Sequence, residues 1–229
     1  MIKDKKIIVA LDNSNLNEII KIVQKLKFQV FAFKIGYEFF LNFGLDGYKK
    51  IAKISPKIFL DLKLHDIPNT VKNGILAINK LKPLLTTIHI SGGDQMMKSC
   101  VEKKKSTKIL GVSILTSLDQ KQIKKYYNKD KIETLVKKFS LEAKKNKLDG
   151  IVCSPKEIKY VRNVVGKNFL IVTPGIRIED NKLKGDDQER TLSPKEAIKL
   201  GADLLVIGRP ITNSKDPLKT IKEINKKIN

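Results

Sequence analysis

The chain has 229 residues, 41% of them hydrophobic and 31% charged, with a formal net charge of +22. That length supports one sizeable core and sits within the usual range of a single-domain α/β barrel, so residues 1–229 are expected to form one domain. The two cysteines, Cys100 and Cys153, lie far apart with no C-x-x-C spacing, which argues against a zinc ribbon or a disulfide framework and suits a reducing compartment.

The positive charge invites a nucleic-acid reading, yet only four of the 46 basic residues are arginine: Arg162, Arg177, Arg190 and Arg209. Base and phosphate readout leans on the bidentate guanidinium, so no nucleic-acid partner is expected. Lysine runs such as Lys103-Lys104-Lys105 read as solvated helix faces. A general attraction for anionic small molecules follows from the charge. The first apolar run, Ile7 to Leu11, is too short for a signal core, and no stretch approaches a membrane span. No membrane partner and a cytoplasmic location are therefore expected.

Short β-rich apolar runs alternate with helical patterns along the chain. The expected strands are Lys6–Leu11, Val30–Ile35, Lys57–Leu64, Thr86–Ile90, Ile109–Leu115, Gly150–Cys153, Phe169–Val172 and Leu204–Ile207. Between them, Leu16, Ile19, Ile20 and Val23, or Ile132, Leu135, Val136 and Phe139, recur at the three- and four-residue spacing of an amphipathic helix. Ser-Pro-Lys-Glu occurs at Ser154–Glu157 and at Ser193–Glu196, each a helix start with serine as cap, proline in the first turn and glutamate closing the box. Asp216-Pro217 opens the last helix in a similar way. Such alternation implies parallel strands with helical crossovers, and eight units in this length predict a compact (β/α)₈ barrel. A doubly wound open sheet is the alternative.

A barrel collects function at the carboxyl ends of its strands. Those ends carry Asp12, Lys34, Asp61, Lys63, Asp66, His89, Thr116, Ser117, the Thr173–Arg177 segment, Gly208 and Arg209, whereas the amino ends carry lysines, Gly150 and turn residues. The third strand is the most informative. Side chains two apart share a face, so Phe59, Asp61 and Lys63 point together, and apolar neighbours on both faces mark a central strand. On an edge strand the Asp-x-Lys pair would be a solvated pair of little consequence. Here an ammonium and a carboxylate are held side by side in a partly dry place. Asp66 follows the strand end, and Pro68 suits the first turn of a helix.

Lys34, Asp61, Lys63 and Asp66 could alternate two cations with two anions. Their acids are matched by lysines, and His65 and His89 are the only histidines, so no metal cage is expected. His89, on an apolar strand, reads as a packed core residue. Chemistry without metal or nucleotide fingerprint must be ionic, carried by fixed charge and a proton donor. Glycine followed by arginine after the seventh and eighth strands fits a phosphate grip. The polar stretch Ile178 to Leu192 is long for a plain connection and reads as a lid, with Gln188 aimed at the phosphate.

The string Asp61-Leu62-Lys63-Leu64-His65-Asp66-Ile67-Pro68-Asn69-Thr70 resembles that of bacterial orotidine 5′-phosphate decarboxylases. Ala10-Leu11-Asp12, Phe33-Lys34-Ile35-Gly36, His89-Ile90-Ser91-Gly92-Gly93, Leu115-Thr116-Ser117, Val172–Arg177 and Val206–Arg209 extend the resemblance in order over essentially the whole chain. The resemblance implies loss of CO₂ from orotidine 5′-phosphate to give UMP, the last step of pyrimidine synthesis, without a cofactor. It implies Lys63 as proton donor to C6, with Asp61 and the partner subunit's Asp66 crowding the departing carboxylate. It further implies ribose contacts from Asp12 and Lys34, pyrimidine contacts from Thr116 and Ser117, and a substrate contact at Pro174. Phosphate contacts from Arg177, Gln188, Gly208 and Arg209 are implied too. Thr70 and the Ile67 backbone would complete a neighbouring subunit's site in a homodimer. A related Asp-x-Lys-x-x-Asp barrel acting on sugar phosphates with Mg²⁺ is the nearest rival, against which the His65–Pro68 continuation and Lys34 argue.

Overall fold

The computed structural model describes residues 5–128, 131–178 and 192–228. Gln188, and all of the expected lid except its end residues, lie outside the described residues. Strands β1 (Ile7–Ala10), β2 (Ala32–Ile35), β3 (Ile58–Leu64), β4 (Leu85–His89), β5 (Lys108–Val112), β6 (Gly150–Val152), β7 (Leu170–Thr173) and β8 (Leu204–Ile207) follow one another around a barrel. All neighbours are parallel, and β8 closes on β1 through Ile7↔Leu205 and Val9↔Ile207. Closure removes every sheet edge and excludes the doubly wound alternative.

The crossovers contain α1 (Leu16–Leu26), α2 (Tyr37–Ile54), α3 (Pro68–Leu81), α4 (Gly93–Lys103), α5 (Gln120–Tyr127), α6 (Ile132–Lys145), α7 (Ile158–Val165) and α8 (Pro194–Leu200). Two more, α9 (Arg209–Thr212) and α10 (Pro217–Ile228), follow β8. Local chemistry sets their ends. Asn15 accepts the N–H groups of Asn17 and Glu18 to start α1, which then buries Ile19, Val23 and Leu26 on one face. Ser193 and Glu196 form the expected capping box of α8, and Asp216 accepts from Leu218 and Lys219 at the start of α10.

Most strand ends fall within two residues of expectation, and two boundaries differ by more. The Ser154 signal opens a single 3₁₀ turn, Pro155–Glu157, with the Glu157 carboxylate accepting the Ser154 N–H at 2.9 Å, and α7 begins only afterwards. The fifth strand stops at Val112 rather than Leu115, because its partner β6 ends at Val152 and leaves nothing to pair with. Ser113 turns away there, its N–H and its hydroxyl both donating to the Val152 carbonyl.

Alternation along the strands divides the core in two. Ile7, Val9, Phe33, Ile58, Leu60, Ile151 and Ile207 pack outward against the helices. Ile8, Ala10, Ala32, Phe59, Leu85, Leu110, Val172, Leu204 and Val206 fill the barrel itself. Phe59, 1% exposed, is the largest of these plugs and contributes about 2–3 kcal/mol of apolar burial. The inward faces are therefore apolar at the amino end of the barrel. Two residues further along the same faces, the chemistry changes.

Candidate active site

Continuing each inward face toward its carboxyl end leads from Ala10 to Asp12, from Ala32 to Lys34, from Phe59 to Asp61 and Lys63, and from Val206 to Gly208. These residues line one cavity of about 570 Å³, together with Thr116, Pro174, Gly175, Arg177 and Arg209. The apolar plug forms its floor and the loops after β5, β7 and β8 form its far wall. Nine of the residues singled out from sequence thus converge, although they come from positions 12 to 209.

Charge alternates across the near wall. The Lys34 ammonium lies 3.2 Å from Asp12 and 3.8 Å from Asp61, and the Lys63 ammonium lies 2.8 Å from the same Asp61 oxygen. Asp61 is 7% exposed. Burial alone would raise its pKa, but the Lys34 and Lys63 charges and hydrogen bonds from Lys63 and Thr87 outweigh burial and hold the carboxyl below its usual range. Asp61 is therefore a fixed anion between two cations. The site holds a line of charge already in place, with little left to reorganise.

Glycines make room for this line. A Cβ on Gly36 would come within 2.7 Å of the Lys34 ammonium and 3.2 Å of the Asp12 carboxylate, so a side chain there would displace the pair. Gly175 adopts φ 77°, a left-handed conformation that glycine alone takes without strain, and turns the chain after β7 into the cavity wall. Beyond it, Ile176 pairs with Leu192 and the Arg177 N–H donates to the Leu192 carbonyl at 3.0 Å, so the two ends of the 178–192 stretch meet at the cavity rim.

Lys63 departs from plain strand geometry. Its φ is 42°, and β3 advances from Leu60 to Leu64 while β4 advances only from Thr86 to Ile88. A lysine in this region costs about 1–2 kcal/mol, and such strain collects at functional positions. The shared Asp61–Lys63 face expected from simple alternation is achieved through a bulge. Simple alternation does not foresee the bulge.

Other expected residues lie apart from this cavity. Asp66 and Ile67 are exposed on the turn from β3 into α3, where Asp66 accepts the Ile67 N–H at 2.6 Å, and Thr70 is exposed in the first turn of α3. Ser117 is exposed beside the cavity-lining Thr116. His89 is half-buried and stacks on His65, with ring centroids 4.9 Å apart. Burial, with the neighbouring His65 and Lys63 charges, lowers its pKa to about 4 against the opposing pull of Asp61, so the ring is neutral at pH 7. Sequence reasoning passed over Glu38, Gly36 as a spacer and Thr87. Thr87 could have been noticed as a hydroxyl two residues after inward-facing Leu85.

Fold and cavity together define a (β/α)₈ barrel with a preorganised ionic site at the carboxyl end of its strands. The chain belongs to the orotidine 5′-phosphate decarboxylase / HUMPS family, whose model matches residues 5–224. It is 44% identical over 226 residues to the orotidine 5′-phosphate decarboxylase of Ehrlichia canis, covering 97% of each chain. It is 40% identical over 231 residues to that of Coxiella burnetii, covering 98% of this chain and 97% of the other. The crystal structure of orotidine 5′-phosphate decarboxylase from Lactobacillus acidophilus superposes with a TM-score of 0.85 at 38% identity, over 99% of this chain and 100% of that one.

Proposed function

We infer that this protein is a carboxy-lyase that converts orotidine 5′-phosphate to UMP, the last step of pyrimidine biosynthesis. The observation that carries the reading is the unbroken line Asp12, Lys34, Asp61, Lys63 at the mouth of a cavity that also holds two arginines. In the proposed reaction the bond from C6 to the carboxylate breaks and its electron pair stays on C6. CO₂ leaves, and the Lys63 ammonium gives its proton to C6. That carbanion has little delocalisation, so a cation beside it stabilises charge present only in the transition state. Asp61, anionic and close by, disfavours the substrate carboxylate more than the neutral CO₂ that replaces it.

Arg177 and Arg209, with the close backbone approach allowed by Gly208, are assigned to the phosphate, as is Gln188. Asp12 and Lys34 are assigned to the ribose hydroxyls. Thr116, Ser117 and Pro174 are assigned to the pyrimidine side. No metal, cofactor, nucleic acid or membrane is part of the proposed scheme. Among the described residues no helix is long and apolar enough to cross a membrane. The cytoplasm, where pyrimidine nucleotides are made, is the proposed location.

We also propose a homodimer with shared sites. Tyr37, Leu41 and Ile67 are 53%, 80% and 66% exposed, an apolar surface that favours being covered. A second cavity of about 420 Å³ is lined by Tyr37, Leu41, His65, His89 and Lys63, so Lys63 faces both it and the ionic cavity. A partner segment entering the second cavity reaches Lys63. Asp66 and Ile67 on the turn after β3, and Thr70 in the first turn of α3, are assigned to that segment.

Release of CO₂ from orotidine 5′-phosphate by the purified protein tests the function directly, and absence of turnover overturns it. Turnover should be the same after exhaustive chelation, whereas loss on chelation and recovery with Mg²⁺ would indicate metal-dependent sugar-phosphate chemistry instead. Arg209→Ala should raise KM strongly and also depress kcat, because a remote phosphate contact both anchors the substrate and contributes to aligning it. Steady-state kinetics check this, and an unchanged KM would place the phosphate elsewhere.

A further inference from the structure

We propose that Thr87 is a positioning residue that holds the Asp61–Lys63 pair in its reactive arrangement. Thr87 lies on β4 two residues after Leu85, faces into the barrel beneath the charged line and is 0% exposed. Its hydroxyl makes two bonds of opposite sense. It donates to Asp61 Oδ1 at 2.8 Å, and its oxygen accepts the Lys63 backbone N–H at 2.9 Å.

Each bond answers a specific need. The other Asp61 oxygen, Oδ2, is occupied by Lys63 at 2.8 Å and faces Lys34 at 3.8 Å. With both cations on one oxygen, the Thr87 hydroxyl on the other fixes the rotation of the carboxylate plane. The second bond acts on the backbone. Pairing between β3 and β4 slips between Leu60 and Leu64, which takes the Lys63 N–H out of the regular ladder, and Lys63 holds φ 42°. A buried N–H left without an acceptor is costly, and the Thr87 oxygen supplies one while fixing the direction in which the Lys63 side chain leaves the chain. One hydroxyl thus sets both members of a pair two positions apart on one strand.

The preceding residue gives the contrast. Thr86 is equally buried, but its hydroxyl donates to the Leu60 carbonyl at 2.9 Å and touches neither charge. Two adjacent threonines therefore separate two roles, one in the sheet and one in the site.

The inference rests on Lys63 as the proton donor, and four variants distinguish its failure from the failure of that reading. Thr87→Val keeps the shape and removes the hydroxyl. It should lower kcat by about tenfold to a hundredfold, as misplacement of a reacting group does, with KM for orotidine 5′-phosphate changed far less. Thr87→Ser, which keeps the hydroxyl, should retain most of the turnover. Thr86→Val, which removes a buried hydroxyl from the same strand, should lower the melting temperature without a matching loss of kcat. Wild-type kcat in Thr87→Val, or equal losses in Thr87→Val and Thr87→Ser, overturns the positioning role. So does a fall in kcat for Thr86→Val as large as that for Thr87→Val. If Thr87→Val does not fold, Thr87→Cys, similar in size with a weak donor, takes its place under the same criteria. Lys63→Ala in the same assay reports on the proton donor alone: retained turnover there removes that reading whatever the threonine variants do.

Discussion

Lys63→Ala should lose turnover by at least about a hundredfold to a thousandfold, the scale on which removal of one preorganised stabiliser is felt. Product affinity should be largely unchanged. UMP lacks the carboxylate and carries no charge at C6, so the ammonium has little to gain from it in the bound product. The effect therefore belongs to kcat and to kcat/KM together, the pattern of an interaction made in the transition state. The substitution also leaves Asp61, 7% exposed, with Lys34 at 3.8 Å as its remaining close cation. Some stability is lost on that account, since removing one partner of a buried pair leaves charge poorly compensated. Turnover measured with titrated active sites, together with UMP binding by calorimetry, separates the two losses. Retention of more than a few per cent of wild-type turnover would mean that another group protonates C6.

Much of this site is legible in the sequence because a strand has a period of two. Phe59, Asp61 and Lys63 announce one face, and the apolar residues between them announce that both faces are covered, so an inward ionic pair follows before any coordinates exist. The barrel is legible for the same reason, since strands alternate with helical patterns, two of whose starts are marked by Ser193 and Asp216. What escapes is anything that breaks a local rule. A left-handed backbone is foreseen at glycine or asparagine and not at a lysine, so the bulge at Lys63 is hidden. Thr87 is legible as an inward-facing hydroxyl two residues after Leu85, but its partners are not: the slip in pairing between β3 and β4 is what brings it under both charges. The end of β5 escapes too: Ile114 and Leu115 have strand character, while the length of β5 is set by its neighbour β6.

Mixed dimers carrying Lys63→Ala on one subunit and Asp66→Ala on the other should regain activity that neither homodimer has. Asp66 does not line the ionic cavity of its own chain; it sits exposed on the turn after β3, beside exposed Ile67. From there its side chain is placed to reach across a two-fold interface. If each site combines Lys63 of one subunit with the partner subunit's Asp66, the mixed dimer concentrates both lesions in one site and leaves the other with neither. Such dimers should recover up to about half the activity of a wild-type dimer, by the symmetry of an isologous pair. If Asp66 instead serves its own subunit, each site of the mixed dimer carries one lesion and nothing is regained. Subunit exchange followed by native mass spectrometry establishes the fraction of mixed dimers, and turnover should rise in proportion to it. A preparation rich in mixed dimers and still inactive would assign Asp66 to its own chain and leave the exposed Tyr37, Leu41 and Ile67 surface as a docking face without a share in the chemistry.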